Sequence, residues 1–240
     1  MHLGTGNYNS VTTKQYTDLG YLSCDPDLGA DASAVFNQLT GYAAQQDYRR
    51  FLVAPTTMRA GIERLIVREI EHARQGREAH LIFKMNALVD KPMIRLLYRA
   101  SQAGVKVDLH VRGMCCLRPG VPGVSETIDE TSIVGRFLEH SRIYWFRNGG
   151  DDEVLLGSAD LMPRNLNRRV EILFPVLDRA IVRRLRDEIL ATYMADTAKA
   201  RRLLPDGSWE RVRAAGDDLS LNVQEWFVAQ ARAAVRQGVE

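Results

Sequence analysis

The chain has 240 residues, of which 45% are hydrophobic, and its formal net charge is only +2. This length suits one large domain or one and a half smaller ones, and the charge excludes a polybasic protein, so we expect no nucleic-acid partner. No apolar run reaches the ~18 residues of a membrane span, and the polar, glycine-rich start is not a signal peptide. The three cysteines are too few and too irregularly spaced for a disulfide framework or a zinc site. A reducing cytoplasm is therefore the expected location.

Residues 1–48 do not resemble the start of a domain. A glycine corner at Gly4–Gly6 precedes the stretch QYTDLGYLSCD, whose alternation predicts an exposed strand over residues 15–23. Too few residues precede this strand to supply a pairing partner, so we expect it to be unpaired. Residues 29–43 predict a helix with Asp31 or Ser33 as its N-cap.

A regular alternation of strands and helices starts near residue 50. The stretch RFLVAP predicts a strand that Pro55 ends, and AHLIFKM and VKVDLHVRG predict two more strands. Between them lie MRAGIERLIVREIEHARQG and KPMIRLLYRASQAG, which have the apolar stripe and the terminal glycine of helices. The β-α-β-α-β order predicts that the three strands run parallel in one sheet.

The next part of the chain predicts antiparallel structure. Residues 113–130 are loop-like, and strands over 141–147 and 153–158 are joined by the hairpin loop NGGDD. The run RRVEILFPVL predicts another buried strand, and Asp178 is placed to cap the helix that follows it. These elements together predict an α/β fold with a mixed sheet that helices flank.

His140 is the first candidate for chemistry. His140 and Arg142 are two residues apart, so they share one face of a strand. The following strand ends in Gly157–Asp160, with the sequence GSAD. An arginine and backbone N–H groups hold anionic oxygens, while a histidine gives or takes a proton near pH 7. The alternative, which the residue type alone favours, is a structural histidine held by hydrogen bonds.

A second corner of the same type opens the chain. Gly4–Asn7 and Gly157–Asp160 share the pattern G-[ST]-x-[ND], which suggests two related half-sites that face one pocket. The pattern resembles the phospholipase D superfamily, whose members carry H-x-K-x4-D followed by G-S-x-N, twice per active site. Here Arg142 replaces the lysine, and Arg147 stands at the aspartate position. We interpret this departure as an argument against simple phosphodiester hydrolysis, because the histidine loses the carboxylate that would orient it.

Longer stretches carry a closer resemblance. HLGTGNYNSVTTKQYTDLGYLSCD, FKMNALVDKPMIRLLYRASQAGVKVDLHVRGMCCLRPGV, SIVGRFLEHSRIYWFRNGG and LLGSADLMPRNLNRRVEILFPV look like the carboxy-terminal third of bacterial family 1 polyphosphate kinases. They cover most of residues 2–205 in the right order. The resemblance implies that residues 1–48 are the tail of one phospholipase D-like domain and that residues 49–205 form the final one. Residues 206–240 are less distinctive and predict a C-terminal extension with a strand at Trp209–Val212 and an amphipathic helix over residues 218–236.

The same resemblance implies a function for the full-length protein. The family reversibly transfers the terminal phosphate of ATP to polyphosphate with Mg²⁺, through a phosphohistidine. The strand with that histidine and the residues near Mg²⁺ are expected upstream of this chain, so the segment alone is expected to be inactive. The resemblance also implies ATP, ADP and inorganic polyphosphate as partners, a homo-oligomer, and peripheral association of a cytoplasmic protein with the inner membrane.

Three nucleotide-binding positions carry over through the motifs. Tyr16, in TTKQYTD, matches a tyrosine at the ATP site, and Arg112, in HVRGMC, matches an arginine that contacts the phosphates. His140, in FLEHSR, matches the second essential histidine and is therefore the expected catalytic residue. No metal ligand is assigned to this chain. The alternatives are a half-buried strand aromatic for Tyr16 and a surface charge at a strand end for Arg112.

Arginines near His140 are candidates for binding a polyanionic product. Arg142, Arg164 and Arg168, with Arg169 beside them, could line its path, because the planar guanidinium suits phosphate. Ion pairing with nearby acids is the alternative. These acids are Glu171, Asp152 and Asp160. Two rival functions stay open: a phospholipase D-like phosphodiesterase or nuclease, and a non-catalytic module that binds nucleotide or polyphosphate.

Overall fold

A mixed sheet of nine strands forms the centre of the computed structural model, which describes residues 1–41, 47–215 and 219–237. Its strand order is β13-β12-β7-β6-β5-β9-β10-β11-β4. The strands of this sheet are β4 (Leu52–Ala54), β5 (His80–Met85), β6 (Lys106–Val111), β7 (Ile128–Ile133), β9 (Arg142–Phe146), β10 (Glu153–Gly157), β11 (Glu171–Pro175), β12 (Ala200–Leu203) and β13 (Trp209–Arg211). Two small pairs stand apart from it, β1 (His2–Gly4) with β3 (Gly20–Leu22), and β2 (Tyr16–Thr17) with β8 (Leu138–Glu139).

Helices cover both faces of the sheet. They are α1 (Pro26–Leu39), α2 (Met58–Arg74), α3 (Lys91–Gln102), α4 (Pro163–Asn167), α5 (Arg179–Arg184), a π-helical turn (Leu185–Leu190), α6 (Ala191–Met194) and α7 (Val223–Gln237). Because side chains alternate along a strand, Phe83 of β5 joins the core under α2 and α3, while its neighbour Ile82 joins the core under α1 and α5. The predicted stripe of α2, which includes Ile62 and Ile66, is fully buried. The predicted α/β class and the mixed sheet flanked by helices are confirmed.

The three predicted parallel strands do run in the same direction. β5 and β6 are direct parallel neighbours, with Leu81 opposite Val107. β4 lies at the edge of the sheet, because β9, β10 and β11 stand between it and β5, each antiparallel to the next. The β-α-β-α-β order therefore predicted the strand directions but not the neighbours.

The expectation of an unpaired strand over residues 15–23 was wrong. This stretch forms two short strands, and each of them has a partner. β3 pairs antiparallel with β1, with Tyr21 opposite Leu3, and β2 pairs parallel with β8. The two strands β1 and β3 also pack against the core of the central sheet, because Leu3 and Tyr21 are both buried there.

The N-terminus of α1 also differs from its prediction. Pro26 begins the helix, and the side chain of Asp25 accepts hydrogen bonds from the N–H groups two and three residues later, both at 3.0 Å. This is an N-cap with proline in the first turn. Neither Asp31 nor Ser33 is the cap; Asp31 is buried and accepts three backbone N–H groups from residues 49–51. The predicted helix end at residue 43 lies outside the described residues.

Several elements were not predicted, among them the short strands β1 and β8 and the short helix α4. β7 begins inside the stretch that predicts a loop, and β12 was not predicted at all. The last helix begins at Val223, and the predicted start at residue 218 lies outside the described residues. Asp196 explains this start, because its Oδ2 accepts the N–H of Val223 at 2.8 Å. The predicted strand near Trp209–Val212 is present as β13 and extends the central sheet beyond β12.

Glu130, on β7, has a carboxyl group buried without a partner. It is fully buried, and neither oxygen has a hydrogen-bond partner among the described residues. Burial raises the pKa of Glu130 to about 8, so the folded protein holds a proton here that the unfolded chain releases near its ordinary pKa of 4.5. Stability should therefore fall as the pH rises between these two values.

Glu130→Gln is expected to flatten this pH dependence. One pKa unit corresponds to about 1.4 kcal/mol. The free energy of unfolding of the native protein should therefore fall by at most about 5 kcal/mol between the ordinary and the raised pKa of Glu130. Urea unfolding of both proteins at pH 5.5, 7 and 8.5 measures it. Asp129→Asn is the control, because Asp129 is the exposed neighbour on the same strand. Parallel curves for the native protein and Glu130→Gln would contradict the buried, neutral carboxyl.

Candidate active site

The predicted site residues lie along one edge of the central sheet, the edge formed by the carboxyl ends of its parallel strands. The parallel strands β5 and β6 end at this edge, and Arg112 follows β6 directly. β9 is antiparallel to β5, so its first residue, Arg142, lies at the same edge, opposite Gly157 at the end of β10. His140 lies two residues before this strand, so it is not part of the strand, contrary to expectation. Carboxyl ends of parallel strands are where open α/β sheets bind ligands.

His140 is held by a carboxylate. Its Nδ1 lies 3.0 Å from both carboxylate oxygens of Asp18, and since a carboxylate only accepts, Nδ1 is the donor. The hydroxyl of Thr5 donates to the same Asp18 at 2.7 Å. Within the described ranges the other ring nitrogen, Nε2, has no protein partner. The expectation that His140 lacks an orienting carboxylate was therefore wrong: Arg147 does occupy the expected position, but the N-terminal segment supplies the carboxylate.

The first glycine corner, Gly4–Asn7, holds Asp18 in position. Thr5 is buried, and its backbone N–H donates to the carbonyl of Leu19 at 3.0 Å while the N–H of Leu19 donates to its hydroxyl at 3.0 Å. A Cβ at Gly6 would come within 2.2 Å of Asp18 Oδ2. Only glycine allows the corner to approach the carboxylate this closely.

Tyr16 packs directly against the histidine. The two ring centroids are 4.9 Å apart, with an interplanar angle of 45°. The backbone N–H groups of His140 and Ser141 both donate to the carbonyl of Thr17, at 3.2 and 3.0 Å. Because Tyr16 and Asp18 flank Thr17, one main-chain contact brings both side chains to the imidazole.

The second corner reaches His140 from the other side. Asp160 accepts from Arg142 Nε at 3.2 Å and from Arg142 Nη2 at 3.1 Å, and Arg142 Nη1 donates to the carbonyl of His140 at 2.7 Å. The backbone N–H of Asn86 also donates to Asp160, at 2.7 Å. Arg112 Nε donates to the side-chain oxygen of Asn86 at 2.7 Å, so a continuous chain of contacts joins Arg112 to His140.

Arg142 is buried and bound to other parts of the protein. The residue is 6% exposed, and all three guanidinium nitrogens already donate to Asp160 or to His140. Binding of polyphosphate by Arg142 stays a prediction; in this structure its guanidinium contacts the main chain at His140 and the carboxylate of Asp160. A polyanion would have to break a buried ion pair to reach it.

Arg164 and Arg168 differ from Arg142, because both are exposed on and just after α4. In the described part of the chain neither of them pairs with a carboxylate, and the same holds for Arg169. The acids proposed as their partners are bound elsewhere. Glu171 accepts from Ser158 and Asn165, Asp152 pairs with Arg147 and Arg186, and Asp160 pairs with Arg142.

A buried ion pair behind His140 was missed by the sequence analysis. Lys84 Nζ lies 3.1 Å from Glu139 Oε2, and both side chains are almost fully buried. Burial lowers the pKa of Lys84, although the charge of Glu139 opposes this shift. Burial acts to raise the pKa of Glu139, yet the charge of Lys84 and hydrogen bonds from Tyr193 and Gln224 hold that pKa below its ordinary value. The signal was a lysine inside the apolar strand AHLIFKM.

The described residues hold neither a metal-binding cluster nor a membrane-spanning helix. Within those ranges no three His, Cys, Asp or Glu side chains lie close enough together to hold a metal ion. The described helices are also too short or too polar to cross a membrane.

The chain matches known family models along most of its length. A model described as Polyphosphate kinase C-terminal domain 2 matches residues 51–224, and one described as Polyphosphate kinase C-terminal domain 1 matches residues 1–45. The chain belongs to the polyphosphate kinase family. The polyphosphate kinase of Thermosynechococcus vestitus is 57% identical over 211 residues, which are 88% of this chain and 29% of that protein. The polyphosphate kinase of Synechocystis sp. is 50% identical over all 240 residues, which span 33% of its length.

A solved polyphosphate kinase has the same fold. The crystal structure of the Porphyromonas gingivalis polyphosphate kinase superposes with a TM-score of 0.92 at 38% identity, over 98% of this chain and 36% of that chain. This chain therefore spans about a third of the length of the polyphosphate kinases it matches.

Proposed function

We propose that this chain is the part of a polyphosphate kinase that binds the nucleotide and assists the reversible transfer of the terminal phosphate of ATP to polyphosphate. The observation that carries the proposal is the Asp18–His140 pair, which stands at the same sheet edge as Arg112 and leaves the Nε2 of the imidazole without a protein partner in the described ranges. Family membership supports the reaction type.

The residues have roles that suit phosphoryl transfer, which needs positioning and charge stabilisation above all. Arg112 holds phosphate oxygens, and Tyr16 positions the nucleotide. As the bond between the terminal phosphorus and its bridging oxygen breaks, His140 Nε2 donates a proton or a hydrogen bond to the departing oxygen of ADP. Asp18 stabilises the imidazolium that precedes this step. The phosphoryl group passes to a histidine on the strand that the resemblance places upstream.

Mg²⁺ is proposed to accompany ATP and to neutralise part of its charge. The described residues offer no cluster of carboxylates or histidines that fits the ion. The nucleotide-binding residues of this chain act on the phosphates through hydrogen bonds and the charge of Arg112.

A chimera tests the proposed function. This chain would replace the aligned third of the Synechocystis polyphosphate kinase, and the product would be assayed for polyphosphate formation from ATP. We expect the chimera to be active and the chain alone to be inactive, because none of its five histidines lies in a His-x-Lys sequence. Labelled ATP should leave no acid-labile label on the chain alone. A stable phosphohistidine at His140 or His2 would contradict the assignment.

The rival phosphodiesterase has a cheap test of its own. Arg142, at the position of the superfamily lysine, is buried in an ion pair with Asp160 and also donates to the carbonyl of His140. Hydrolysis of bis(p-nitrophenyl) phosphate by the chain is therefore not expected. Turnover that disappears in His140→Ala would favour the phosphodiesterase instead. Nucleotide binding without transfer in the chimera would favour the non-catalytic module.

Polyphosphate is expected to bind weakly to the exposed arginines of α4. Arg164→Ala combined with Arg168→Ala should weaken binding about tenfold, since each exposed charge pair contributes up to about 1 kcal/mol. Native binding should also weaken with salt, because such contacts are screened over about 8 Å at physiological ionic strength. Calorimetry at low and high salt measures both effects. Arg201→Ala with Arg202→Ala, exposed arginines of β12, is the matched control; an equal loss there would remove α4 as the site.

We also propose that the full-length protein is a cytoplasmic homo-oligomer that associates peripherally with the inner membrane. Family membership is the support for this part of the proposal. Light scattering of the full-length protein and its distribution between the supernatant and pelleted inner membranes test it. A monomer found only in the supernatant would contradict both statements.

A further inference from the structure

Glu139 is the centre of a buried network that joins four separate parts of the chain. Its carboxylate accepts hydrogen bonds from Thr17 Oγ1 at 3.0 Å, Tyr193 Oη at 2.5 Å and Gln224 Nε2 at 2.7 Å, and it pairs with Lys84 Nζ at 3.1 Å. We call these five residues the Glu139 network. Each partner comes from a different element, β2, α6, α7 or β5, so the network fixes their relative placement.

The network surrounds the main chain at His140. Glu139 directly precedes the histidine, and Lys84 Nζ also donates to the hydroxyl of Ser141, which follows it, at 2.9 Å. Thr17 is the residue between Tyr16 and Asp18, and both of these contact the imidazole. The segment that carries His140 and the segment that carries its two partners are therefore held by the same buried carboxylate.

The C-terminal helix α7 takes part through Gln224. In addition to Glu139, its amide donates to the carbonyl of Phe137 at 2.8 Å and accepts the N–H of Phe137 at 3.0 Å. A Cβ at Gly135 would come within 2.5 Å of the amide oxygen of Gln224, so the approach requires glycine there. Hydrogen bonds thus join the start of α7 to Phe137, which precedes β8, and to Glu139, which ends β8 and is followed by His140.

We propose that Gln224 and Glu139 are positioning residues through which the C-terminal helix sets the orientation of His140 against Asp18. The inference rests on the proposed role of His140 and assigns a function to the C-terminal extension. The physical reason is that a buried carboxylate with four partners has a single low-energy arrangement. Because His140 follows Glu139 directly, the fixed position of the Glu139 main chain also fixes the position of the histidine.

The first test is a direct observation of the His140–Asp18 hydrogen bond. In the 240-residue protein, the Nδ1–H proton of His140 should give a slowly exchanging NMR signal. Gln224→Leu is expected to abolish or broaden it. The Nε2–H proton of His80, which pairs with Asp108 at 2.6 Å on another part of the sheet, should persist as the internal control. Gln102→Leu, which removes an exposed amide bonded to the carbonyl of Gly123, should leave both signals intact.

The second test measures the chemistry in the Synechocystis chimera. Gln224→Leu should lower kcat about tenfold, which is less than the 10²–10⁴-fold contribution of general acid–base assistance, because His140 is displaced but still present. Gln102→Leu should not lower kcat. An unchanged His140 signal together with an unchanged kcat would overturn the inference. An inactive native chimera would count against the proposed function, while the NMR signal would still decide the positioning role.

A second variant guards against misfolding. If Gln224→Leu also loses the His80 signal, the protein has unfolded, and Lys84→Met combined with Glu139→Gln takes its place. This pair removes both buried charges and keeps the side-chain volumes close to native. We expect the His140 signal to be lost while the His80 signal remains. Retention of both signals would overturn the positioning role of the network.

Discussion

Replacing His140 by alanine should lower the turnover of the Synechocystis chimera by about 10²–10⁴-fold, the usual contribution of general acid–base assistance. Nucleotide affinity should stay within about tenfold of the native value, because Arg112 and Tyr16 still hold the ligand. The phosphoenzyme should therefore still form, but slowly. Rapid-quench measurement of labelled phosphoenzyme separates this slow formation from the complete loss expected when the proposed upstream phosphohistidine is removed.

The matched control is His80→Ala. His80 also pairs with an aspartate, but it begins β5 and so lies at the opposite edge of the sheet from the proposed site. This variant should form phosphoenzyme at the native rate if it folds. Formation at the native rate in His140→Ala as well would mean that His140 is a structural residue, held by Asp18 and Tyr16 without a part in the chemistry.

Lys84→Met is expected to destabilise the protein by about 3–5 kcal/mol, because it leaves the carboxylate of Glu139 buried without its counter-charge. Urea unfolding at pH 7 measures the loss. Without Lys84, burial should raise the pKa of Glu139, so the folded variant would bind a proton more tightly than the unfolded chain. Its stability should therefore recover partly as the pH is lowered toward 5.

The same substitution at an exposed lysine gives the control. Lys106 pairs with Asp108 at 3.1 Å, but its side chain is 56% exposed. Lys106→Met should cost no more than about 1 kcal/mol, as is usual for a solvent-exposed pair. Similar losses in the two variants would show that the Lys84–Glu139 pair behaves as an ordinary surface contact and would weaken the role of the network.

The helices α2, α3 and α5 and the strands β5, β6, β9 and β10 could be predicted because their signals are local. The apolar stripe of α2 and the proline and glycine at the ends of α3 are properties of a dozen consecutive residues, and local hydrogen bonds and burial of one face follow from them. The strand directions followed in the same way, since crossover connections leave little choice of handedness. Motifs also named Tyr16, Arg112 and His140, and the structure brings Tyr16 into contact with His140 and links Arg112 to it through Asn86 and Asp160.

The pairing of side chains was decided only by the tertiary structure. Asp18 and His140 are 122 positions apart, and Glu139 reaches Gln224 across 85 positions. No local pattern specifies such partners, because a period of 2 or 3.6 tells which face a residue lies on and not what lies opposite. Arg142 shows the consequence: its sequence position suggested a phosphate ligand, yet burial made an uncompensated guanidinium too costly and Asp160 became its partner. The sequence alone thus determined the elements and the motif residues, whereas long-range packing determined which charges face a ligand and which hold the site together.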